Sequence, residues 1–422
     1  MSLEIKREQA KDKFGSGNFD ESKSLYEDLF NATKDQWDGW GLARSYNKLK
    51  LFDKSENVCK EVYDAFPDFE YIKSPYAFAL FMNKMKKKSP NFDSINIGRN
   101  FDLIYALENS QRFWTSPAFV ELINALASDN KWELISNYYE NIDINEISKE
   151  SRVWNNKKLM SDREKSYLKI IKAYMKQEKW TNCEEVCNKG LLDFPNEFWF
   201  KRGKAIALGK KGDTETAIKH FSELLKIKQD WFIYRDLASV YESIDDKIQQ
   251  RENLILGCLA ASKTPDPGFK WEMFYELGLN LIDSEHAEFG KLHLQLAHAI
   301  REDEGWPTKE NLANSMKKYQ VENEFTKSPK QFIKELSSFW IDNKPNLFKD
   351  QEKIGGSIKV ILPNNKSGFI SSNSGDYYFN FKDINFKHSD VEIGLNVNFY
   401  TEKRFDQSKG VDSECAVEIN KE

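Results

Sequence analysis

The feature that most restricts how this chain can fold is a period of about 34 residues. Between Tyr167 and Asp245 three units follow one another, with Ile171, Ala205 and Ala238 in equivalent places at spacings of 34 and 33 residues. In the first unit Tyr174, Trp180, Cys183, Cys187 and Pro195 take up the remaining marked positions. The second reads GKKGDTETAIKHFSELLKI, with Gly212 at a turn between two helices and Ala217, Phe221 and Leu224 on the second of them; the third carries Leu237, Ala238 and Tyr241. Near the start of the chain the same frame fits GNFDESKSLYEDLF from Gly17 and LARSYNKLKLFDKSENVCKEVYDAFP from Leu42, with Phe19 and Phe52 33 residues apart and Pro67 closing the unit. A helical hairpin that is apolar on both sides can bury those sides only by stacking on its neighbours, and small residues at the crossing points let the helices come close.

These residues resemble a tetratricopeptide repeat, with Ile171 standing where a small residue is usual. The expected solenoid covers residues 1–343, clearest over 10–67 and 167–245. Between Ser74 and Met160 the register degrades into divergent repeats with insertions, although SPAFVELINALASDNKWELISNYYENI from Ser116 still reads as a hairpin with Trp132 at its turn. Leu277, Gly278 and Leu281 followed by Gly290, Leu294 and Ala297 form another pair. The connection Ser262 to Gly268, with Pro265 and Pro267, breaks the array ahead of that pair. Trp306 and Pro307 end it, and helices at about Lys309 to Phe325 and Pro329 to Trp340 cap the array within 309–342. A linker over 344–353, containing Pro345, leads to a final segment, 354–422.

That segment has a different pattern. Two short runs rich in aromatic residues, Gly368 to Ser371 and Tyr377 to Phe381, flank a Ser-Asn-Ser-Gly-Asp turn and predict a hairpin. Alternation places Tyr378 and Asn380 on one face and Tyr377 and Phe379 on the other. Strands are expected at Gly356 to Leu362, Gly368 to Ser371, Tyr377 to Phe381, Gly394 to Thr401 and Cys415 to Ile419, about seventy residues in all and near the size of a small five-stranded barrel.

Gly368, Phe369 and Ile370, followed by Asp376, Tyr377, Tyr378, Phe379, Asn380 and Phe381, resemble the two motifs of cold-shock and S1-like OB-fold domains. The resemblance implies that Phe369, Tyr378 and Phe381 stack on bases. Asn380 stands beside them where the family usually has His, and Lys359 meets backbone phosphate. Lys366 occupies the place of a leading aromatic that the first motif lacks here, and Val360 replaces the strand-one Trp. Strict alternation would put Phe381 opposite Tyr378, so its place on the stacking face requires a bend or bulge at the strand end. With two of about five platforms missing and each worth roughly 1–3 kcal/mol, binding is expected to be weak to moderate.

Composition narrows the function classes. With 31% charged residues and only short apolar runs, no membrane partner is expected. The opening Met-Ser-Leu-Glu-Ile-Lys-Arg-Glu has no apolar signal core, so a cytoplasmic location is expected. The five cysteines, Cys59, Cys183, Cys187, Cys258 and Cys415, are scattered and read as reduced, packed thiols. A net charge of −5, with 9 Lys+Arg against 11 Asp+Glu over 351–422, argues against a general polyanion surface. The run Lys84, Lys86, Lys87 and Lys88 reads as a solvated helix end rather than a phosphate patch. His286, His293 and His298 lack the i, i+4 pairing of a helical metal motif. No Gly-rich phosphate loop, nucleophile elbow or His-Glu-x-x-His occurs, so no catalytic residue, metal or cofactor is expected.

The expectation is therefore a mainly α protein, a tetratricopeptide-like superhelix followed by a small five-stranded OB-type barrel, acting as a non-enzymatic adaptor. Its solenoid groove holds a protein partner and its barrel holds single-stranded RNA or DNA. Fusions of this kind resemble those of prokaryotic stress and defence systems. The alternative is a purely protein–protein scaffold whose barrel is a docking module.

Overall fold

The computed structural model describes residues 2–108, 113–263, 268–322, 327–345, 351–406 and 411–422. Pro265, Pro267, Phe325 and linker residues 346–350 lie outside the described residues. Two compact units are present, Met1–Ala207 and Leu208–Glu422.

The first unit is built of antiparallel helices: α1 (Leu3–Gly15), α2 (Phe19–Thr33), α3 (Gln36–Lys48), α4 (Phe52–Ala65), α5 (Glu70–Leu80), α6 (Ile97–Leu107), α7 (Thr115–Ser128), α8 (Trp132–Asn141), α9 (Asp162–Lys176) and α10 (Trp180–Asp193), with most of α11 (Phe198–Lys210). α5 runs into a π-helical turn at Phe81–Met85, and a two-stranded hairpin of β1 (Val153–Trp154) and β2 (Lys157–Lys158) precedes α9. This irregular stretch is the divergent middle of the chain.

The period has a backbone cause. Gly17, Lys50, Asn130, Glu178, Gly212 and Asp245 all have positive φ, and each stands two residues ahead of a helix start. In each case the next N–H donates to the carbonyl five residues before it, as in Lys179 N–H to Tyr174 O at 3.0 Å and Asp246 N–H to Tyr241 O at 3.0 Å. This left-handed stop ends one helix and reverses the chain into the next.

The helix crossings recur as well. The Ser22 and Ser55 hydroxyls each donate to the carbonyl twelve residues earlier, Ala10 and Ala43, at 3.0 Å, and the Cys183 thiol lies 4.0 Å from the Ile171 carbonyl in the same relation. A small polar group there satisfies itself on the partner helix without holding it away. In the first unit a continuous core runs from Ala10 to Ala207.

The second unit continues with α12 (Thr214–Ile227), α13 (Trp231–Ser243), α14 (Lys247–Ser262), α15 (Trp271–Ile282), α16 (Ala287–Asp303), α17 (Glu310–Lys318) and α18 (Pro329–Asp342). α15 and α16 touch backbone to backbone: a Cβ added at Gly278 would sit 3.0 Å from the Gly290 carbonyl, and one at Gly290 would sit 2.9 Å from that of Gly278. Trp340 of α18 stacks on Phe274 at 5.8 Å and donates its indole N–H to His293 Nε2 at 2.8 Å. An indole only donates, so His293 carries its proton on Nδ1, which meets the Phe289 carbonyl at 2.6 Å.

His293 is fully buried, and burial pushes its pKa down to about 4. The unfolded chain, with a pKa near 6.5, therefore binds more protons than the native one between these values, and stability falls as pH falls through that window. Each pH unit costs about 1.4 kcal/mol, so unfolding free energies from urea melts at pH 7 and pH 5 should differ by roughly 2 kcal/mol through this group. Equal unfolding free energies at the two pH values would contradict the assignment.

The chain then closes a five-stranded barrel from β3 (Ile354–Ile361), β4 (Ser367–Ser372), β5 (Gly375–Asn380), β6 (Asn396–Asp406) and β7 (Val411–Lys421). The order is β3-β4-β5-β7-β6, with β6 returning to β3 and β5 parallel to β7, which is the OB-type arrangement. β6 and β7 are longer than the strands expected there. Ile358, Ile370, Tyr377, Phe379, Val397, Phe399, Ala416 and Ile419 fill the interior.

The barrel belongs to the same compact unit as α12–α18. β6 packs on α12, Lys344 pairs with Glu418, and Arg404 is held by Asp383 at 2.7 Å and Glu402 at 2.7 Å. Tyr234 on α13 lies within electrostatic reach of Glu402, Arg404 and Glu418, and burial first, then the two carboxylates, push its pKa up to about 12.

Candidate nucleic-acid interface

The hairpin of β4 and β5 is the centre of the site. Its register pairs Gly368 with Phe379, Phe369 with Tyr378 and Ile370 with Tyr377. Because side chains alternate, Gly368, Ile370, Tyr377 and Phe379 point into the barrel, and Phe369, Ser371, Asp376, Tyr378 and Asn380 form the outer face. The burial follows: Ile370 and Phe379 are fully buried, whereas Phe369 and Tyr378 are partly exposed. Their rings meet edge to face with centroids 5.6 Å apart, a continuous aromatic surface across two strands.

Gly368 is required by packing. A Cβ there would lie 2.3 Å from the Val360 carbonyl and 2.7 Å from the Phe379 ring. The β3–β4 register shifts between Ile358 and Val360, so β3 crowds β4 at this glycine and leaves Val360 exposed on its other side.

The remaining site candidates fall in three places. Lys359 is exposed on β3, but its ammonium is held by Asp376, whose carboxyl it keeps below the usual carboxylate range. Lys366 is exposed in the β3–β4 turn; its backbone N–H donates to Asn364 Oδ1 at 2.9 Å and its carbonyl accepts from Phe381 N–H at 2.8 Å. Asn380 spends its side-chain oxygen on Lys382 N–H at 3.1 Å, capping a 3-10 turn over Phe381–Asp383.

Phe381 is the candidate that the structure does not bring to the outer face. It opens that 3-10 turn, stacks on Phe379 with centroids 5.9 Å apart and 3° between planes, and packs against the barrel core and the edge of His388. The chain leaves the strand at this residue without the bulge that would have turned it outward. Sequence reasoning also missed Asp376 as the partner of Lys359: the two stand on β3 and β5 with β4 between them, so no cross-strand pairing rule points to the contact.

Elsewhere, Lys84, Lys86, Lys87 and Lys88 lie at and just beyond the π-helical turn, with Lys86 and Lys87 lowering the otherwise raised pKa of Glu121. His286, His293 and His298 do not converge, and among the described residues no three His, Cys, Asp or Glu side chains are placed to hold a metal. Among the described residues no helix is long and apolar enough to cross a membrane.

Residues 198–338 match the model of a domain of unknown function, DUF7017. No curated protein matches the chain. Solved structures with a similar course include a tetratricopeptide repeat protein from Parabacteroides merdae (10% identity, TM-score 0.32, covering 76% of this chain and 99% of that one). Human IFIT1, solved as a dimer with m7Gppp-AAAA, is 13% identical with a TM-score of 0.37, covering 79% of this chain and 78% of that one. YrrB, described as a TPR protein with an unusual peptide-binding site, is 16% identical with a TM-score of 0.33, covering 52% of this chain and 97% of that one. The assignment of helical repeats and barrel stands on the hairpins, turns and strand order themselves.

Proposed function

We propose that this chain is a non-enzymatic adaptor: its helical repeats hold a protein partner, and the outer face of β4 and β5 binds single-stranded RNA or DNA. The observation that carries the reading is the cross-strand pair Phe369 and Tyr378, two aromatic rings kept partly exposed on an OB-type barrel whose other large aromatics at this hairpin point inward. Every base offers a face to stack on, so such a pair suits single strands of any sequence. Lys366 lies at the edge of this face, and Lys359 beside it. In this reading residues 1–343 are the partner-binding solenoid, 344–353 the linker and 354–422 the nucleic-acid module, and the cytoplasmic stress or defence setting implied by the resemblance is the working context.

Stacking rather than charge should dominate. With Lys359 and Lys366 the two cations beside the rings, the slope of log affinity against log salt should be shallow, roughly −0.7 to −1.4 for one or two phosphate contacts. Anisotropy of labelled single-stranded oligomers titrated with the whole chain at low and physiological salt measures it. Absence of binding at either salt would refute the reading.

One observation favours the alternative, a barrel that only docks proteins: Asp376 already neutralises Lys359 on the stacking face. Asp376→Asn separates the two. It should raise single-strand affinity if Lys359 is thereby freed for phosphate, and leave a protein-only module without such affinity.

A further inference from the structure

The insertion between α8 and α9 carries side chains that neither the core nor the barrel site uses. Every residue from Arg152 to Met160 is exposed, so the β1–β2 hairpin contributes nothing to the packing of the repeats. Strands this short are marginal in water on their own, and this ribbon is held at both ends. At its tip Asn155 and Asn156 have φ of 48° and 59°, the pair of left-handed residues that a two-residue turn with the right twist requires. At its root the Arg163 side chain donates to the Ile147 carbonyl at 2.8 Å and the Asn145 carbonyl at 2.7 Å. The two oxygens of Asp193 there meet Arg163 and Lys149, each at 3.1 Å.

Register decides what the ribbon presents. Trp154 pairs with Lys157 and Val153 with Lys158, and Leu159 N–H donates to the Arg152 carbonyl at 2.8 Å. Alternation therefore puts Arg152, Trp154, Lys157 and Leu159 on one face and Val153 and Lys158 on the other. Trp154 is 69% exposed, an indole with one cation two residues before it on its own strand and another directly across. Residues 152–160 hold three cations and no carboxylate, in a chain whose net charge is −5. Among the described residues none of the three is ion-paired, whereas Lys149 at the root is.

We propose that this face is a second contact for single-stranded nucleic acid: a base stacks on Trp154, and Arg152 and Lys157 meet the phosphates on either side of it. Lys158, on the opposite face, adds to the local positive field. The inference rests on the adaptor reading for its class of ligand and deepens it by adding a platform within the first unit. The same features weigh against other occupants. The tip that would enter a membrane first is Asn155-Asn156, and Val153 stands on the opposite face from Trp154, so the apolar side chains share no insertion surface. Two-residue strands offer too short an edge to template a strand of a partner protein. An exposed indole between two cations suits a base between two phosphates, and a base can stack there only when it is outside a duplex. With one ring against two, this is the weaker contact, so it is read with the barrel's rings removed.

The test uses the full chain carrying Phe369→Ala/Tyr378→Ala, titrated against a labelled short oligothymidylate by anisotropy at several low salt concentrations. Residual binding should remain, with a slope of log affinity against log salt of roughly −1.4 to −2.1 for two or three phosphate contacts. Adding Trp154→Ala should weaken it about five- to hundredfold, and Trp154→Phe should keep part of it. Adding Arg152→Gln/Lys157→Gln should instead make the slope shallower by roughly 1.4. The melting temperature should hold in each, because the segment lies outside the core. No residual binding at the lowest salt, or residual binding that Trp154→Ala leaves unchanged, would overturn the proposal. So would Trp154-dependent sedimentation with phosphatidylserine vesicles in place of oligomer binding. The chain with its barrel rings intact keeps the two failures apart. Binding that Phe369→Ala/Tyr378→Ala lowers supports the barrel site whatever Trp154→Ala does, and binding that only Trp154→Ala lowers supports the hairpin alone.

Discussion

Phe369→Ala/Tyr378→Ala should lower the affinity of the whole chain for single-stranded oligomers by at least about thirtyfold. Each stacked base contributes roughly 1–3 kcal/mol, so removing two platforms removes roughly 2–6 kcal/mol. Both rings are partly exposed on the outer face, and the inner face opposite them is closed by Ile370, Tyr377 and Phe379, so the barrel should keep its core without them. Phe381→Ala is the internal comparison. Its ring lies on Phe379 at the barrel end, so it should cost on the order of 2–3 kcal/mol of barrel stability and leave affinity within a few-fold at temperatures where the barrel is folded. Anisotropy for affinity and urea unfolding for stability separate the two effects. Loss of affinity in Phe381→Ala with no loss of stability would mean that the stacking face is misplaced.

The second large effect is at Gly368. Alanine there puts a methyl group 2.3 Å from the Val360 carbonyl oxygen, a backbone atom, and 2.7 Å from the Phe379 ring. The ring has little room to turn, because Phe381 stacks on it from one side and the core surrounds it. Relief therefore means parting β3 from β4 next to the bulge between Ile358 and Val360. Overpacking of a closed core costs typically 1–3 kcal/mol, and displacement of a strand adds to it, so we expect about 3 kcal/mol or more from Gly368→Ala. Hydrogen exchange at the amides of β3 and β4 measures this directly. Protection equal to wild type would show that the strands are not held as described. The same substitution should abolish single-strand binding indirectly, by loosening the hairpin that holds Phe369 against Tyr378.

How much of this was legible in the sequence depends on what each residue does. The 34-residue period was readable because Ala205, Ala217 and Ala238 at helix crossings and Gly212 at a turn have few substitutes. Elsewhere the same structural jobs are done by residues that do not advertise them. The left-handed stop is a glycine at Gly17 and Gly212 but Lys50, Asn130, Glu178 and Asp245 at the other sites, where the bond from the following N–H offsets the strain of positive φ. The crossing position held by alanine in some units is matched by Ser22, Ser55 and Cys183 on the second helix of others, and Ile171 is accommodated because Gly203 faces it.

In the barrel, alternation correctly assigned Tyr377, Tyr378, Phe379 and Asn380 to their faces, since period two holds as long as the ladder does. Alternation also put Phe381 on the face opposite Tyr378, where it stacks on Phe379; the outward place implied by the resemblance needed a bulge, and the chain instead enters a 3-10 turn that Asn380 caps with its own side chain. The docking of β6 on α12 was not readable at all. Near it, Arg404, Asp383 and Glu402 of the barrel and Tyr234 of α13 are charged and aromatic residues that look in sequence like any solvated surface.

The most direct test of the central claim is to cross-link the whole chain to a single-stranded oligomer with ultraviolet light and identify the modified residues by mass spectrometry. The account predicts adducts on Phe369 and Tyr378, with Phe379 and Phe381 unmodified. Adducts confined to the helical repeats, or none in the β4–β5 hairpin under conditions where the oligomer is bound, would contradict it.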